Sequence, residues 1–324
     1  MKHDDSCALS QAPRSEIWNL LREITGKAEP ESQLRGFSLR LGDGSPWWIA
    51  GFPPDDSWTE KLAGIMQMHP GKHHGSNLII FLTGRTPPER VKRLAPPGSG
   101  WLVETKDFLK VRFWYRKDSP DLLVEVDSPV ADIEGYTNLK LALQFIYRQS
   151  IYRGALPFHA ALAEHQGRGV LLAAPSNTGK STCCRRLPPP WLARCDDEAL
   201  VTLSPEGRYL AHPFPTWSEY IAKRKPAYTT QDASTLAGVF FFQQAPADEC
   251  LPLGPSEAVV EAMISAQVAM SRFLWYCTPE EGRQIRTAIF ENAVALFNQV
   301  PAFRLRVSLT GRFWELLEAA LECG

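Results

Sequence analysis

The chain has 324 residues, of which 44% are hydrophobic and 22% are charged, and its formal net charge is −1. This length and composition are typical of a globular protein with one large or two ordinary domains. The near-zero net charge gives no electrostatic signature of a nucleic-acid-binding protein. The longest apolar runs, such as Leu78–Leu82 and Val239–Phe242, are far too short to span a bilayer. We therefore expect neither a nucleic-acid partner nor membrane association.

The cysteines and the N-terminal sequence indicate the compartment. The seven cysteines are odd in number and include no CxxC pair, so they are expected to be reduced, structural thiols. The polar start, Met1-Lys2-His3-Asp4-Asp5, is followed by no apolar segment of the kind found in secretory signals. Both features predict a cytoplasmic protein.

Residues 1–135 alternate short apolar segments with Pro- and Gly-rich turns, a pattern that predicts strands. The predicted strands are Phe37–Leu41, Trp47–Ala50, Leu78–Leu82, Trp101–Glu104, Val111–Tyr115 and Leu122–Val126. We expect a smaller α+β or mostly β N-terminal domain whose role the sequence does not indicate. His69, His73 and His74 raise a metal site, but no carboxylate or cysteine completes a ligand set nearby, and a solvated loop is the favoured interpretation.

Helical spacing begins after residue 135. Apolar residues at i, i+3, i+4 and i+7 (Leu139, Ala142, Leu143 and Ile146) predict a connecting helix over 136–153. Residues 136–324 then predict an α/β domain, with a mixed sheet and flanking helices. Its predicted strands are Pro157–Ala163, Gly169–Ala174, Leu192–Cys195, Ala199–Leu203, Leu236–Phe242 and Phe303–Leu309. Its predicted helices are Ser256–Met270, a helix opened by the capping box Thr278-Pro279-Glu280-Glu281, and a helix containing Phe313 and Leu317.

The segment VLLAAPSNTGKSTCC, residues 170–184, is typical of a phosphate-binding loop. An apolar strand leads into a polar loop that closes on Gly179-Lys180-Ser181, and a helix-compatible stretch follows. In such loops backbone N–H groups surround a phosphate, the lysine reaches the phosphate oxygens, and the hydroxyl binds Mg²⁺. The predicted nucleotide-binding residues are Ala174, Pro175, Ser176, Asn177, Thr178, Gly179, Lys180, Ser181 and Thr182.

Two positions depart from the usual loop pattern. Ala174 stands where the first glycine is expected, which costs little in the β region but much at a positive φ. Asn177 stands mid-loop, and asparagine is among the few residues that tolerate the left-handed region. Pro188–Pro190 must end the following helix after about two turns. A chance Gly-Lys-Ser in a surface turn is the alternative interpretation.

Two further candidates flank the loop. Asp196 and Asp197 follow the apolar Trp191-Leu192-Ala193 and can hold Mg²⁺ or accept a proton from an attacking hydroxyl. A solvated acidic turn is the alternative for this pair. His159 lies on the predicted strand before the loop strand, where a hydrogen-bonded core histidine is the alternative to a functional one.

The segments LPFHAALAEHQGRGVLLAAPSNTGKSTCCRRL and ARCDDEALV together resemble the catalytic domain of the HPr kinase/phosphorylase family. Later segments, such as LAGVFFFQQA and VPAFRLRVSL, resemble HPr-kinase-like proteins of peptide-modification clusters, in particular the SynChlorMet cassette member. The resemblance covers residues 156–203 well and 236–322 more weakly. It implies a compact P-loop kinase domain.

The resemblance also implies a role for each matching residue. Lys180 would neutralise phosphate charge of ATP or another NTP, Ser181 and Asp197 would bind Mg²⁺, and Asp196 and Asp197 would share the work of base and metal ligand. His159 would orient groups near the transferred phosphate. Glu219 is a candidate for a glutamate that follows the Asp pair in that family. The implied partners are a peptide or small-protein acceptor and a radical-SAM maturation enzyme, and homo-oligomers occur in the family.

Three functions stay open at this point. The first is a kinase that phosphorylates a Ser or Thr hydroxyl of a peptide or small protein. The second is a nucleotide-regulated module that binds a peptide or enzyme without phosphoryl transfer, and the third is a scaffold with a degenerate loop. A phosphoenolpyruvate-carboxykinase-like reaction is disfavoured, because the chain is short for it and shows no arginine pattern for oxaloacetate.

Overall fold

A computed structural model describes residues 15–53, 57–127, 133–215 and 230–322. The chain divides into two compact units. The N-terminal unit comprises Met1–Leu39, Pro46–Gly64 and His69–Phe145, and the C-terminal unit comprises Arg40–Ser45, Ile65–Met68 and Ile146–Gly324. The main division falls between Phe145 and Ile146, ten residues beyond the boundary suggested by the sequence and inside the helix Ile133–Ile151.

The first part of the chain forms a seven-stranded mixed sheet with flanking helices. Its helices are α1 (Ser15–Thr25), α2 (Ser57–Met66) and α3 (Pro88–Leu94), with short 3₁₀ turns at Glu31–Gln33 and Asp107–Leu109. Its strands are β1 (Arg35–Arg40), β2 (Pro46–Gly51), β3 (His69–Pro70), β4 (Asn77–Thr83), β5 (Trp101–Lys106), β6 (Val111–Arg116) and β7 (Leu122–Val126). The strand order is β3-β1-β2-β4-β7-β6-β5, and β2, β4 and β7 are parallel.

The parallel strands explain why this unit is α/β. β4 and β7 are buried along nearly their whole length, as expected for parallel strands covered on both faces. On one face, α1 places Leu20 and Leu21 against Trp48 and Leu78. The sequence predicted the six longer strands but none of these three helices, and the structure shows a mixed α/β unit where the sequence predicted an α+β or mostly β domain.

The predicted solvated loop at His69, His73 and His74 is correct only in part, because His69 lies in β3 and His73 is half-buried. His69 and His74 are exposed, and the His73 ring lies 5.7 Å from the ring centroids of both Trp18 and Trp48. Among the residues that the structure describes, no group of three His, Cys, Asp or Glu side chains is arranged to hold a metal ion.

The second part of the chain begins with α4 (Ile133–Ile151) and forms a nine-stranded sheet. The strands are β8 (Leu156–Phe158), β9 (Ala160–His165), β10 (Arg168–Ala173), β11 (Leu192–Cys195), β12 (Glu198–Leu203), β13 (Tyr209–Phe214), β14 (Ser234–Gln244), β15 (Glu249–Pro252) and β16 (Ala302–Val307). The helices are α5 (Lys180–Arg186), α6 (Pro255–Ala269), α7 (Ser271–Tyr276), α8 (Pro279–Phe297) and α9 (Phe313–Glu322).

The sheet of the C-terminal unit is ordered β11-β9-β10-β14-β13-β12-β8, with β16 also beside β14 and β15 beside β16. β10, β14 and β16 are parallel, and the other pairings are antiparallel. β8 and β9 lie toward opposite ends of this order but are separated by one residue in the chain, so the sheet must curl until its two ends approach each other. We call this approach the seam, defined by β9 and β11 on one side and β8 and β12 on the other.

The predicted strand Pro157–Ala163 is therefore wrong in one respect. The predicted strand is interrupted at His159, because β8 pairs with β12 whereas β9 pairs with β10 and β11. His159 lies on the link between two strands and not within a strand. The strands β13 and β15 and the helix α7 were also missed by the sequence analysis.

Local signals in the C-terminal unit gave correct helix starts. The Thr278 hydroxyl accepts a hydrogen bond from the Glu281 backbone N–H at 3.2 Å, with Pro279 at the first helical position, as the capping box predicted. α5 has seven residues and ends before Pro188, as the proline run predicted. No helix among the described residues combines the length and apolar character needed to cross a bilayer.

Candidate functional site

The 174–179 loop joins β10 to α5 at the end of the central strands. β10 is buried after its first residue, and its last residue, Ala173, lies between Ala160 of β9 and Phe241 of β14. Ala160 is the first residue of β9, so beyond Ala173 the chain has no strand partner on that side and leaves the sheet. The loop residues 175–177 are exposed there.

The loop backbone takes the conformation that its sequence permits. Asn177 has φ +63° and Gly179 has φ +108°, whereas Ala174 is not among the described residues with positive φ. Alanine at position 174 is therefore free of the strain that a left-handed position would impose. The backbone amides of Ser176–Gly179 donate to no other described residue, so the loop presents unused N–H donors.

Lys180 lies beneath the loop and not in solvent. The residue is 6% exposed, and its Nζ donates to the carbonyl oxygens of Ala174 at 2.8 Å and Pro175 at 3.1 Å. Nζ also lies 2.9 Å from His159 Nε2. Burial lowers the pKa of Lys180, and the negative charges of Asp197 and Asp196 oppose this shift. A cation is thus held under the loop with two carboxylates close enough to stabilise it.

The contacts of His159 assign its tautomer. An ammonium group can only donate, so Nε2 of His159 accepts from Lys180 and the ring proton lies on Nδ1. This Nδ1 faces Asp197 Oδ1 at 3.4 Å. The Ser176 Oγ lies 3.2 Å from Nε2 on the loop side. His159 therefore connects the lysine beneath the loop to a carboxylate.

Strand register explains why Asp197 meets His159. β11 runs antiparallel to β9 with Cys195 opposite Leu162, so the next residues of the chain reach the level of Ala160. Asp196 and Asp197 link β11 to β12 across the seam, and His159 links β8 to β9 across the same seam. The one-residue link at His159 and the two-residue link at Asp196 and Asp197 lie next to each other. His159 and Asp197, 38 positions apart in the sequence, therefore come together.

Three residues that sequence reasoning missed support this cluster. The Tyr147 hydroxyl of α4 donates to Glu198 Oε2 at 2.8 Å, and Glu198 is 3% exposed. Burial and the Glu198 charge raise the pKa of Tyr147 well above its usual value, so it stays a donor. The His159 backbone N–H donates to Ser265 Oγ of α6 at 2.9 Å. Glu198 is adjacent to the predicted pair, but Tyr147 and Ser265 carry no local signal.

The nearby thiols are protonated and serve as packing groups. Burial raises the pKa of Cys184 to about 12 and also raises the pKa of Cys195. Cys183 is buried in the core beneath α5. Cys183, Cys184, Cys195 and Cys250 form no disulfide with the described part of the chain.

A cavity of about 460 Å³ opens beside the loop, on the side of β14 and α6. The cavity is lined by His159, Ala174 and Pro175, and by Ile264 and Val268 of α6, which are 53% and 42% exposed. Arg304 and Glu261 also line it, with Arg304 Nη2 3.6 Å from Glu261 Oε1. The cavity therefore connects an apolar wall to the His159 cluster.

Of the residues predicted from the sequence, the loop, Lys180, His159 and Asp197 come together. Asp196 lies close enough to oppose the lowering of the Lys180 pKa, and Ser181 and Thr182 occupy the first turn of α5. Glu219 lies outside the described residues. Oxygen donors of the kind that Mg²⁺ prefers, a hydroxyl and carboxylates, are present at Ser181 and at the Asp pair.

A comparison with models of known protein families assigns the chain to a family. The model of the family described as SynChlorMet cassette protein ScmC matches residues 122–322, which is more than half of the chain. No curated protein matches the chain. The match spans β7 and all of the second sheet, including the loop, His159 and the Asp pair. The chain therefore belongs to the SynChlorMet cassette protein ScmC family.

Proposed function

We propose that the C-terminal unit is a P-loop, HPr-kinase-like domain that transfers the γ-phosphoryl group of ATP to a Ser or Thr hydroxyl of a peptide or small protein. One observation carries this proposal: a buried lysine lies beneath a loop of unused amide donors and contacts His159, which in turn faces Asp197. Backbone amide donors and a lysine can bind phosphate oxygens. A carboxylate positioned by a histidine can accept the proton of an attacking hydroxyl.

The chemistry follows from these positions. The loop amides bind the β- and γ-phosphates of ATP, and Lys180 exchanges its carbonyl contacts for phosphate oxygens. Asp197 takes the proton of the acceptor hydroxyl as the new O–P bond forms and the bond to the bridging oxygen breaks, which releases ADP. His159 contacts both Asp197 and Lys180 and fixes their positions relative to each other. Positioning and charge stabilisation supply most of the rate enhancement.

Mg²⁺ would neutralise charge on the phosphates, and Ser181 and Asp197 are the residues proposed to hold it. Mg²⁺ keeps several waters and is usually bound through one or two protein ligands and the substrate phosphates. A hydroxyl and a carboxylate therefore suffice as the protein's share. Asp196 is the second carboxylate available for this work.

The acceptor is proposed to enter through the cavity between the loop and α6. His159 lines this cavity, and its volume of about 460 Å³ falls within the range of small-ligand sites. Membership in a cassette family favours an acceptor peptide that is encoded in the same gene cluster. A radical-SAM maturation enzyme is proposed as a further partner.

The test is label transfer from [γ-³²P]ATP, with Mg²⁺, to the peptides of the cluster, together with calorimetry of ATP binding. We expect Lys180→Ala to weaken ATP binding by roughly 10- to 150-fold, the value of a charge-assisted hydrogen bond. Asp197→Asn should reduce transfer by about 10²- to 10⁴-fold, a larger effect than on ATP binding, because the amide oxygen can still serve as a ligand of Mg²⁺ but cannot accept the hydroxyl proton. Lys92→Ala and Asp107→Asn, at exposed positions, are the matched controls. ATP binding without label on any peptide would contradict the kinase.

The second candidate is a nucleotide-regulated binding module without phosphoryl transfer. The exposed apolar side chains of α6 beside the loop, Val260, Ile264 and Val268, favour it, because such a face suits a peptide or enzyme partner. In this case ATP would change the affinity for the peptide, and neither Asp196→Ala nor Asp197→Ala would change any chemical yield. A scaffold with a degenerate loop would show no heat with ATP in either the wild type or Lys180→Ala.

A further inference from the structure

A second concave site lies in the N-terminal unit, at the carboxyl ends of its parallel strands. It has a volume of about 430 Å³ and is lined by residues that follow β2 and β4, by the end of β7, and by α1 and α3. Ligands of open α/β sheets bind outside the carboxyl ends of the strands. The position alone therefore makes this cavity a candidate binding site.

Among the described residues, three cations line this cavity: Lys27, Arg85 and Arg90. The lining carboxylate, Glu125, is already neutralised, because its side chain is 1% exposed and its Oε2 accepts from Arg112 Nη1 at 2.9 Å. Glu125 also accepts from the Thr86 backbone N–H at 3.1 Å. The Glu125 carboxylate is thus part of the cavity wall, and the lining formed by the described residues has an excess of positive charge.

The cations have hydrogen-bonding capacity left. The Nε atoms of Arg85 and Arg90 are buried and donate to no described residue. Arg85 pairs through Nη2 with Asp107, whose side chain is 84% exposed, so this pair is weak. Lys27 forms no ion pair with the described part of the chain and lies 4.0 Å above the Phe52 ring. Buried donors without acceptors are costly, and an anion would satisfy them.

Two aromatic residues line the cavity beside the cations, Phe52 and Phe81, and Phe81 is 3% exposed. Guanidinium groups suit the planar or tetrahedral oxygens of carboxylates and phosphates, while two aromatic side chains suit a ring. We propose that the N-terminal unit binds a small phosphomonoester that carries a ring, with the phosphate on Arg85 and Arg90 and the ring against Phe52 and Phe81. This site is independent of the function proposed for the C-terminal unit.

The test is calorimetry on the full-length chain with phenyl phosphate and inorganic phosphate as probes. We expect phenyl phosphate to bind at least about tenfold more tightly, the effect of a 1.4 kcal/mol contribution from the aromatic wall. Arg85→Gln and Arg90→Gln should each weaken phenyl phosphate binding by at least about tenfold. Arg93→Gln, an exposed residue of the same helix as Arg90, should leave it unchanged. Lys27→Gln is a further variant that tests the same site if an arginine variant fails to fold.

Two results would overturn the proposal. The first is the absence of phenyl phosphate binding at millimolar concentration, or equal binding by the wild type and by folded variants of Arg85, Arg90 and Lys27. The second is loss of binding in Lys180→Ala alone, which would assign the phosphate to the loop of the C-terminal unit. Binding that survives Lys180→Ala but not Arg90→Gln supports the new site even if no kinase activity is found.

Discussion

The buried ion pair between α4 and α8 gives the sharpest stability prediction. Arg148 Nε donates to Glu281 Oε1 at 2.9 Å, and both side chains are 4% exposed. At an effective dielectric constant of about 20, unit charges at this distance attract by about 6 kcal/mol. Desolvation offsets part of this attraction, and removal of one partner of a buried pair costs about 3–5 kcal/mol.

We expect Glu281→Gln to fall at the lower end of that range. The amide oxygen can still accept from Arg148, but the substitution removes the buried negative charge opposite the guanidinium, so the cost is about 3 kcal/mol. For a unit of this size, each kcal/mol lowers Tm by about 2–4 °C. Thermal unfolding followed by circular dichroism should therefore show a decrease of about 6–12 °C.

The neighbouring Glu280 provides a matched control for the same substitution. It pairs with Arg283 on the helix surface, with side chains 60% and 66% exposed, so Glu280→Gln should cost about 0–1 kcal/mol. The double variant Arg148→Met/Glu281→Leu should recover most of the lost stability, because no charge remains buried. Equal Tm shifts for the two glutamine variants would refute the reasoning.

Two further predictions concern the region of the loop. Because the folded-state pKa of Cys184 is about 12 against an ordinary value of 9.0, its contribution to the free energy of unfolding is complete below pH 9.0 and declines as the pH rises towards 12; the decline is at most about 1.4 kcal/mol per pH unit. Urea unfolding at several alkaline pH values should show a shallower decline for Cys184→Ala, and identical slopes would count against a buried thiol. At Asn177, where φ is +63°, Asn177→Val should cost about 1–2 kcal/mol in the same assay. Asn177→Gly should cost none, and a similar loss for both variants would contradict the left-handed backbone.

Local signals in the sequence determined much of the C-terminal unit. The strand Leu192–Cys195 has the predicted bounds, the helix that follows Thr278 begins at its capping box, and the proline run limits α5 to seven residues. Each of these features depends on residues within a few positions of one another. The loop motif and the Asp pair are also contiguous, so the sequence alone could nominate them.

The tertiary structure alone decided which of these residues meet. His159 lies outside its predicted strand because β8 and β9 pair with different parts of a curled sheet. Asp197 faces His159 because the link between β11 and β12 crosses the same seam. Tyr147 and Ser265 joined the cluster from distant helices. The cations and aromatic rings of the N-terminal cavity likewise come from three separate stretches of the chain, at Lys27, at Phe52 and at residues 81–90. Sheet register and curvature arise from long-range pairing, and no local pattern of hydrophobic or turn residues specifies them.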